Sequence, residues 1–233
     1  MARVLSKWGI CSRAEAVRRV LDGVVRVNGR VCRDPGWPVD VRRDRVEVDG
    51  RRVEAVSRLY LMLNKPRGLV TTASDERGRD TVYRCLEEPP WGGEDEGGLP
   101  EGVHLSPVGR LDQASEGLLL FTNDTAWAAR LTDPAGRVEK EYHVRVRGIP
   151  DAAMLASMAE GVEAGGERLV ARGVSVLRSG GRNAWLRVIL DEGRNRHIRR
   201  MLETLGVEVM RLVRVRIGGL DRKSTRLNSS HAN

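Results

Sequence analysis

The segment Leu118-Leu119-Leu120-Phe121 is apolar at every position. Successive side chains of a strand point to opposite faces, so such a run must be covered on both sides. It predicts a buried strand. The loop that feeds it carries Arg110 and Asp112, beside Gly109 and Gly117, which allow a backbone to approach closely. Elsewhere the pattern alternates. Tyr142, Val144 and Val146 alternate with His143, Arg145 and Arg147, and Val213, Val215 and Ile217 alternate with Arg214 and Arg216. Both predict half-buried strands. Residues 59–63 and 185–190 read as further strands, and 151–159 as a helix. Ile198, Met201, Leu202 and Leu205 recur at helical spacing, closed by Gly206. Strands with helices interspersed, but no regular βαβ repeat, predict an α+β class with a mixed, mainly antiparallel sheet over residues 57–220.

Residues 1–56 follow a different plan. Ser12 and Glu15 form a capping box, in which Ser12 accepts from the Glu15 amide while Glu15 reaches back. Behind it Ala16, Val17, Val20 and Leu21 make one apolar stripe, with Arg13, Arg18 and Arg19 off it. The period then drops to two around Asn28-Gly29 and again around Asp49-Gly50, which predicts two tight hairpins. Such a module of about 50 residues is near the lower limit for a self-sufficient core.

Charge narrows the function. The chain has 40 Lys+Arg against 32 Asp+Glu, and all but four of the basic residues are Arg. Arg presents a planar fork of donors that suits phosphate. Residues 1–56 hold 13 basic and 8 acidic side chains, and residues 185–216 hold 8 and 4. Two basic ends around a near-neutral middle suggest two nucleic-acid contact surfaces, although a solvated surface of mixed charge fits the same counts. Residues 87–101 carry six acidic side chains and no basic one, and read as a loop kept away from phosphates.

Several classes are excluded. No stretch approaches the roughly 20 apolar residues of a membrane span, and residues 1–10 show no secretory signal. The three Cys share no metal-ligand spacing, which favours a reducing compartment, the cytoplasm. The four His lie far apart, and there is no phosphate-binding loop, dinucleotide fingerprint or Gly-x-Ser-x-Gly elbow. What remains is Asp112, by itself either a turn residue or a carboxylate nucleophile held ionised by a neighbouring cation. Lys65-Pro66-Arg67-Gly68 reads as a loop presenting Lys65 and Arg67. Residues 221–233 are polar and unpatterned, and are expected to be a disordered, non-native tail resembling translated adaptor sequence.

Two resemblances sharpen this reading. Leu5-Ser6-Lys7-Trp8-Gly9-Ile10-Cys11-Ser12-Arg13-Ala14-Glu15-Ala16, followed by Gly23-Val24-Val25-Arg26-Val27-Asn28-Gly29-Arg30-Val31, resembles the alpha-L RNA-binding domain. That module is shared by a small-subunit ribosomal protein, some tRNA synthetases and several RNA-modifying enzymes. The resemblance implies that Arg13, Arg18 and Arg19 lie on RNA. Gly109-Arg110-Leu111-Asp112, three residues, then Gly117-Leu118-Leu119-Leu120-Phe121-Thr122-Asn123-Asp124 is similar to the signature of bacterial ribosomal RNA pseudouridine synthases of the small-subunit type. Asn64-Lys65-Pro66-x-Gly68 and Glu192-Gly193-Arg194-Asn195-Arg196-His197-Ile198-Arg199-Arg200-Met201 fit the same branch in the same order.

The resemblance implies chemistry residue by residue. Asp112 stands where the family's catalytic aspartate forms a covalent adduct, so that uracil detaches, rotates and reattaches through carbon five. Tyr142 matches the tyrosine that packs on the base and is a candidate for proton transfer. Arg199 matches the basic residue paired with the aspartate, and Leu212 is an apolar wall of the site or a core residue. Lys65, Arg67, Arg110, Arg194 and Arg196 are expected to contact RNA with the arginines of the first module. No cofactor or metal is implied. The expected partner is ribosomal RNA, with no membrane and a monomeric chain; the alternative is a non-catalytic RNA-binding or ribosome-assembly protein. Gln113-Ala114-Ser115 departs from the commoner acidic-Thr spacing, and Thr125 stands where Gly is usual.

Overall fold

A computed structural model describes residues 1–73, 75–87 and 102–222. Most of the acidic loop and of the tail lies outside these residues. The chain forms two compact units: residues 1–61 with 102–106 and 121–128, and residues 62–87 with 107–120 and 129–222. The division is thus not a single cut at 56/57.

In the first unit, helix α1 (Ala2–Lys7) precedes α2 (Arg13–Leu21), and Ser12 Oγ caps α2 by accepting from the Glu15 amide at 3.1 Å. The return half of the capping box is replaced. The Glu15 carboxylate pairs with Arg18 and Arg19, each about one helical turn ahead, at 2.5 and 2.9 Å. Ala16 and Val20 are buried and Val17 packs against them, whereas Leu21 is 53% exposed at the last turn. Strands β1 (Val25–Val27), β2 (Arg30–Val31), β3 (Val46–Val48) and β4 (Arg51–Arg52) complete the module. Asn28, Gly29, Asp49 and Gly50 all have positive φ, as tight hairpin turns of this kind require. The two hairpins are one sheet, of order β2-β1-β3-β4, because β1 and β3 pair antiparallel. Its inner valines and the helical stripes enclose Leu5, Ala16 and Val20 at 0% exposure.

The second unit is built on a mixed sheet. The strands of that sheet, with end residues of β5, β6 and β7 counted in the first unit, are β5 (Tyr60–Lys65), β6 (Ser106–Val108), β7 (Glu116–Thr122), β8 (Lys140–Arg147), β11 (Gly173–Ser179), β12 (Asn183–Leu190), β13 (Val209–Ile217) and β14 (Leu220–Asp221). The central order is β11-β12-β8-β13-β7-β5, and every pair in the run from β11 to β13 is antiparallel. β7 and β13 are parallel. β14 pairs with the end of β13, so Asp221 belongs to the sheet and not to a tail. Helices α3 (Arg84–Glu87), α4 (Thr125–Thr132), α5 (Ala152–Glu160) and α6 (His197–Thr204) and the hairpin β9 (Val162–Ala164)–β10 (Glu167–Leu169) complete the described chain.

Leu118 to Phe121 are at most 1% exposed, as the apolar run requires. Tyr142, Val144 and Val146 are buried and His143, Arg145 and Arg147 are not, as the alternation requires. The last strand departs from expectation. Register shifts in β13 between Val209 and Arg211 and between Arg214 and Arg216 break the alternation, and Arg214 turns inward to 5% exposure.

Candidate active site

Gly117 has φ +107°, and a Cβ there would lie 2.2 Å from the Arg214 carbonyl oxygen. Only glycine permits this approach of β7 to β13, which fixes where the loop carrying Asp112 ends. The loop has little regular structure of its own, so its backbone groups need partners from elsewhere. Thr71 Oγ1 donates to the Leu111 carbonyl at 2.8 Å and accepts from the Leu111 amide at 3.2 Å. The Gly68 amide donates to the Gln113 carbonyl, and Gln113 Nε2 donates to the Gly68 carbonyl. Arg199 Nη2 donates to the Ala114 carbonyl at 3.0 Å. Arg214 Nε donates to the Leu118 carbonyl at 2.7 Å and Nη1 to the Arg110 carbonyl at 3.4 Å.

Lys65 corrects an expectation. Its side chain is fully buried and cannot be a surface contact to RNA. Nζ donates to the carbonyls of Pro66 and Ser115 at 2.9 Å and of Asp112 at 3.3 Å, which engages its three donors. Burial pushes the ammonium down from 10.5 to about 8. Lys65 is a clamp beneath the loop.

The Asp112 side chain is 32% exposed and opens into a cleft of about 1340 Å³. Arg199, on α6, places Nε 3.9 Å from Asp112 Oδ2, within ion-pair range but beyond a hydrogen bond. Burial pulls the Arg199 guanidinium below its usual range, opposed by the Asp112 charge. Tyr142, 9% exposed, and Leu212, 5% exposed, line the same cleft. Exposed Arg110, Arg194 and Arg196 stand on its wall; Arg194 pairs with Glu192 at 2.6 Å, and Arg196, at φ +48°, is the N-cap residue before α6. Arg67 is exposed in the loop after Lys65 but does not line the cleft.

The sequence pattern does not distinguish Arg214, yet it lines the cleft and is buried, with Nη2 unpartnered among the described residues. Its alternation with Val213 and Val215 pointed it outward; Gly117 opposite it in the β7–β13 pairing is the one signal of its role. In the first unit Arg13 and Arg18 are exposed, while Arg19 is tied to Glu15 at 2.9 Å and to Asp49 at 3.5 Å.

A carboxylate paired with a half-buried arginine, beside a tyrosine and among exposed arginines, forms a site able to act on a polyanionic substrate. Residues 59–204 match the family model described as RNA pseudouridylate synthase, and residues 2–44 match the S4 domain. The chain belongs to the RNA pseudouridylate synthase family, whose members are isomerases. It is 39% identical over 218 residues to an uncharacterized RNA pseudouridine synthase of Rickettsia bellii, covering 94% of this chain and 89% of that protein. It is 33% identical to the ribosomal large subunit pseudouridine synthase B of Bacillus subtilis, covering 92% and 83%. A crystal structure of a pseudouridylate synthase superposes with TM-score 0.59 at 25% identity, covering 94% of this chain and 89% of that one.

Proposed function

We propose that this protein converts a uridine of ribosomal RNA to pseudouridine, with Asp112 as the nucleophile. The observation that carries the reading is the Asp112–Arg199 pair at 3.9 Å on a loop clamped from below by Lys65. The carboxylate forms a covalent adduct with the nucleotide, and the N1–C1′ bond breaks. The uracil rotates, C5 bonds to C1′, the bond from Asp112 to the nucleotide breaks to return the free carboxylate, C5 gives up its proton and N1 gains one. Atoms and charge balance within the nucleotide, so the reaction is an isomerisation. A target base has to leave its stack to reach a side chain in a cleft, and Tyr142 offers a flat surface to receive it. Arg199 orients the carboxylate.

Arg67, Arg110, Arg194 and Arg196 supply phosphate contacts near the base, and Arg13 and Arg18 supply them from the N-terminal module. A monomeric enzyme acting in the cytoplasm is part of the same proposal. The motifs resemble the small-subunit branch, whereas the Bacillus subtilis relative is named for the large subunit. Pseudouridine mapping of both ribosomal RNAs, from cells with and without this gene, identifies the site. Complementation with Asp112→Asn is expected to leave the site unmodified while the purified variant still binds rRNA, because an amide is a poor nucleophile. Residual turnover within tenfold of the parent sinks the nucleophile assignment, and a non-catalytic assembly protein predicts no dependence on Asp112 at all.

A further inference from the structure

The sheet has a second basic face, opposite the cleft. Tyr142 points into the cleft, so its strand neighbours His143 and Arg145 point the other way. In the register, Arg178 of β11 is opposite Trp185 of β12, Trp185 is opposite Arg145 of β8, and Arg145 is opposite Arg211 of β13. Three arginines and a tryptophan therefore lie in one row across four adjacent strands, about 14 Å at the usual strand spacing.

Like charges directly opposite each other destabilise a sheet, and the Arg145–Arg211 pair is such a juxtaposition. Trp185 holds part of the row in place. The Arg178 guanidinium lies 5.3 Å and the Arg211 guanidinium 6.0 Å from its ring centroid. A guanidinium stacked on a ring keeps its N–H edge available to an anion. Arg211 is paired with Glu116, and the neighbouring Arg187 with Glu141. Among the described residues, Arg145 and Arg178 form no ion pair; with Asn183 in its hydrogen-bonded orientation, Arg145 donates only to that neutral amide at 3.2 Å.

We propose that this row is a further RNA-binding surface, contacting backbone phosphates of a segment away from the target nucleotide, so that the catalytic sheet is held by RNA on both faces. The inference rests on the reading of the chain as an enzyme of ribosomal RNA, a polyanion long enough to pass around a sheet edge. Charge complementarity selects phosphate, and arginine stacked on indole favours it over a merely solvated face.

The test uses the full chain carrying Arg145→Glu with Arg178→Glu, and a charge-conserving pair, Arg145→Lys with Arg178→Lys. Each is titrated against full-length small- and large-subunit rRNA transcripts across a range of salt, with the melting temperature recorded. Two lost phosphate contacts are expected to lower the log–log salt slope by about 1.4 to 1.8. The glutamate pair is expected to weaken binding at least tenfold near physiological salt, and the lysine pair less than threefold. If the glutamate pair does not fold, Arg145→Gln with Arg178→Gln replaces it under the same slope criterion. An unchanged slope in a folded variant overturns the proposal, as does an equal loss in the lysine pair. Loss of slope without any pseudouridine formed by the parent refutes the isomerase reading and leaves this surface standing.

Discussion

Replacing Lys65 by methionine tests the claim that a buried cation holds the catalytic loop. Methionine has a similar length and no donor, so the carbonyls of Pro66, Asp112 and Ser115 lose their partner together. An unsatisfied buried carbonyl costs roughly 1–3 kcal/mol, which predicts a net loss of several kcal/mol in stability. The pH dependence is more discriminating. Lys65 is held at about 8 in the folded protein against 10.5 for the free side chain. Below pH 8 both states carry the proton and the folded state bears the net cost of the shift, about 3 kcal/mol. Between 8 and 10.5 the unfolded state binds more protons, so stability contributed by this group rises with pH. Between pH 7 and pH 9.5 the parent should gain about 2 kcal/mol relative to Lys65→Met. Urea unfolding of both proteins at the two pH values measures this difference, in which most other titrating groups cancel. Misplacing a nucleophile by about 1 Å can reduce turnover by about 100-fold, so kcat should fall by roughly that factor. A stability difference that is flat between the two pH values, or turnover within threefold of the parent, refutes the clamp.

Gly117→Ala places a Cβ 2.2 Å from the Arg214 carbonyl oxygen at φ +107°, so a loss of more than about 2 kcal/mol is expected, read as a lowered melting temperature. A variant that melts with the parent shows that β7 and β13 do not approach so closely. Arg13→Ala with Arg18→Ala is expected to reduce the log–log salt slope of rRNA binding by about 1.4 to 1.8 with turnover at saturating RNA unchanged. An unchanged slope shows that this helix face does not touch RNA.

Much of this architecture is legible in the sequence wherever the controlling force is local. Asn28-Gly29 and Asp49-Gly50 turn as they do because their φ angles are positive, which any neighbours would permit. Ser12 caps α2 through a hydrogen bond three residues long. The run from Leu118 to Phe121 is buried because no other placement covers both faces. The departures have two causes. Glu15 does not reach back, because two arginines on its own helix compete for the same carboxylate. The union of the hairpins through β1 and β3, and the register shifts in β13, depend on pairings that no local pattern encodes.

The cations in and beneath the cleft show why counting charge overstates an RNA footprint. Lys65, Arg199 and Arg214 come from segments far apart in the chain, and each donates to carbonyls in or beside the Asp112 loop. A loop that lacks its own ladder needs donors, and a long cationic side chain brings two or three at once from a distant strand or helix. Hydrogen bonds from charged donors are the stronger kind, so these few residues fix the loop with little regular structure around it. The same arrangement places positive charge beneath and beside a single carboxylate. Exposed Arg110, Arg194 and Arg196 on the wall of the cleft remain available to phosphate. In the proposed reaction, the more buried Lys65, Arg199 and Arg214 hold the Asp112 loop while exposed Arg110, Arg194 and Arg196 face the RNA, a division that composition cannot make.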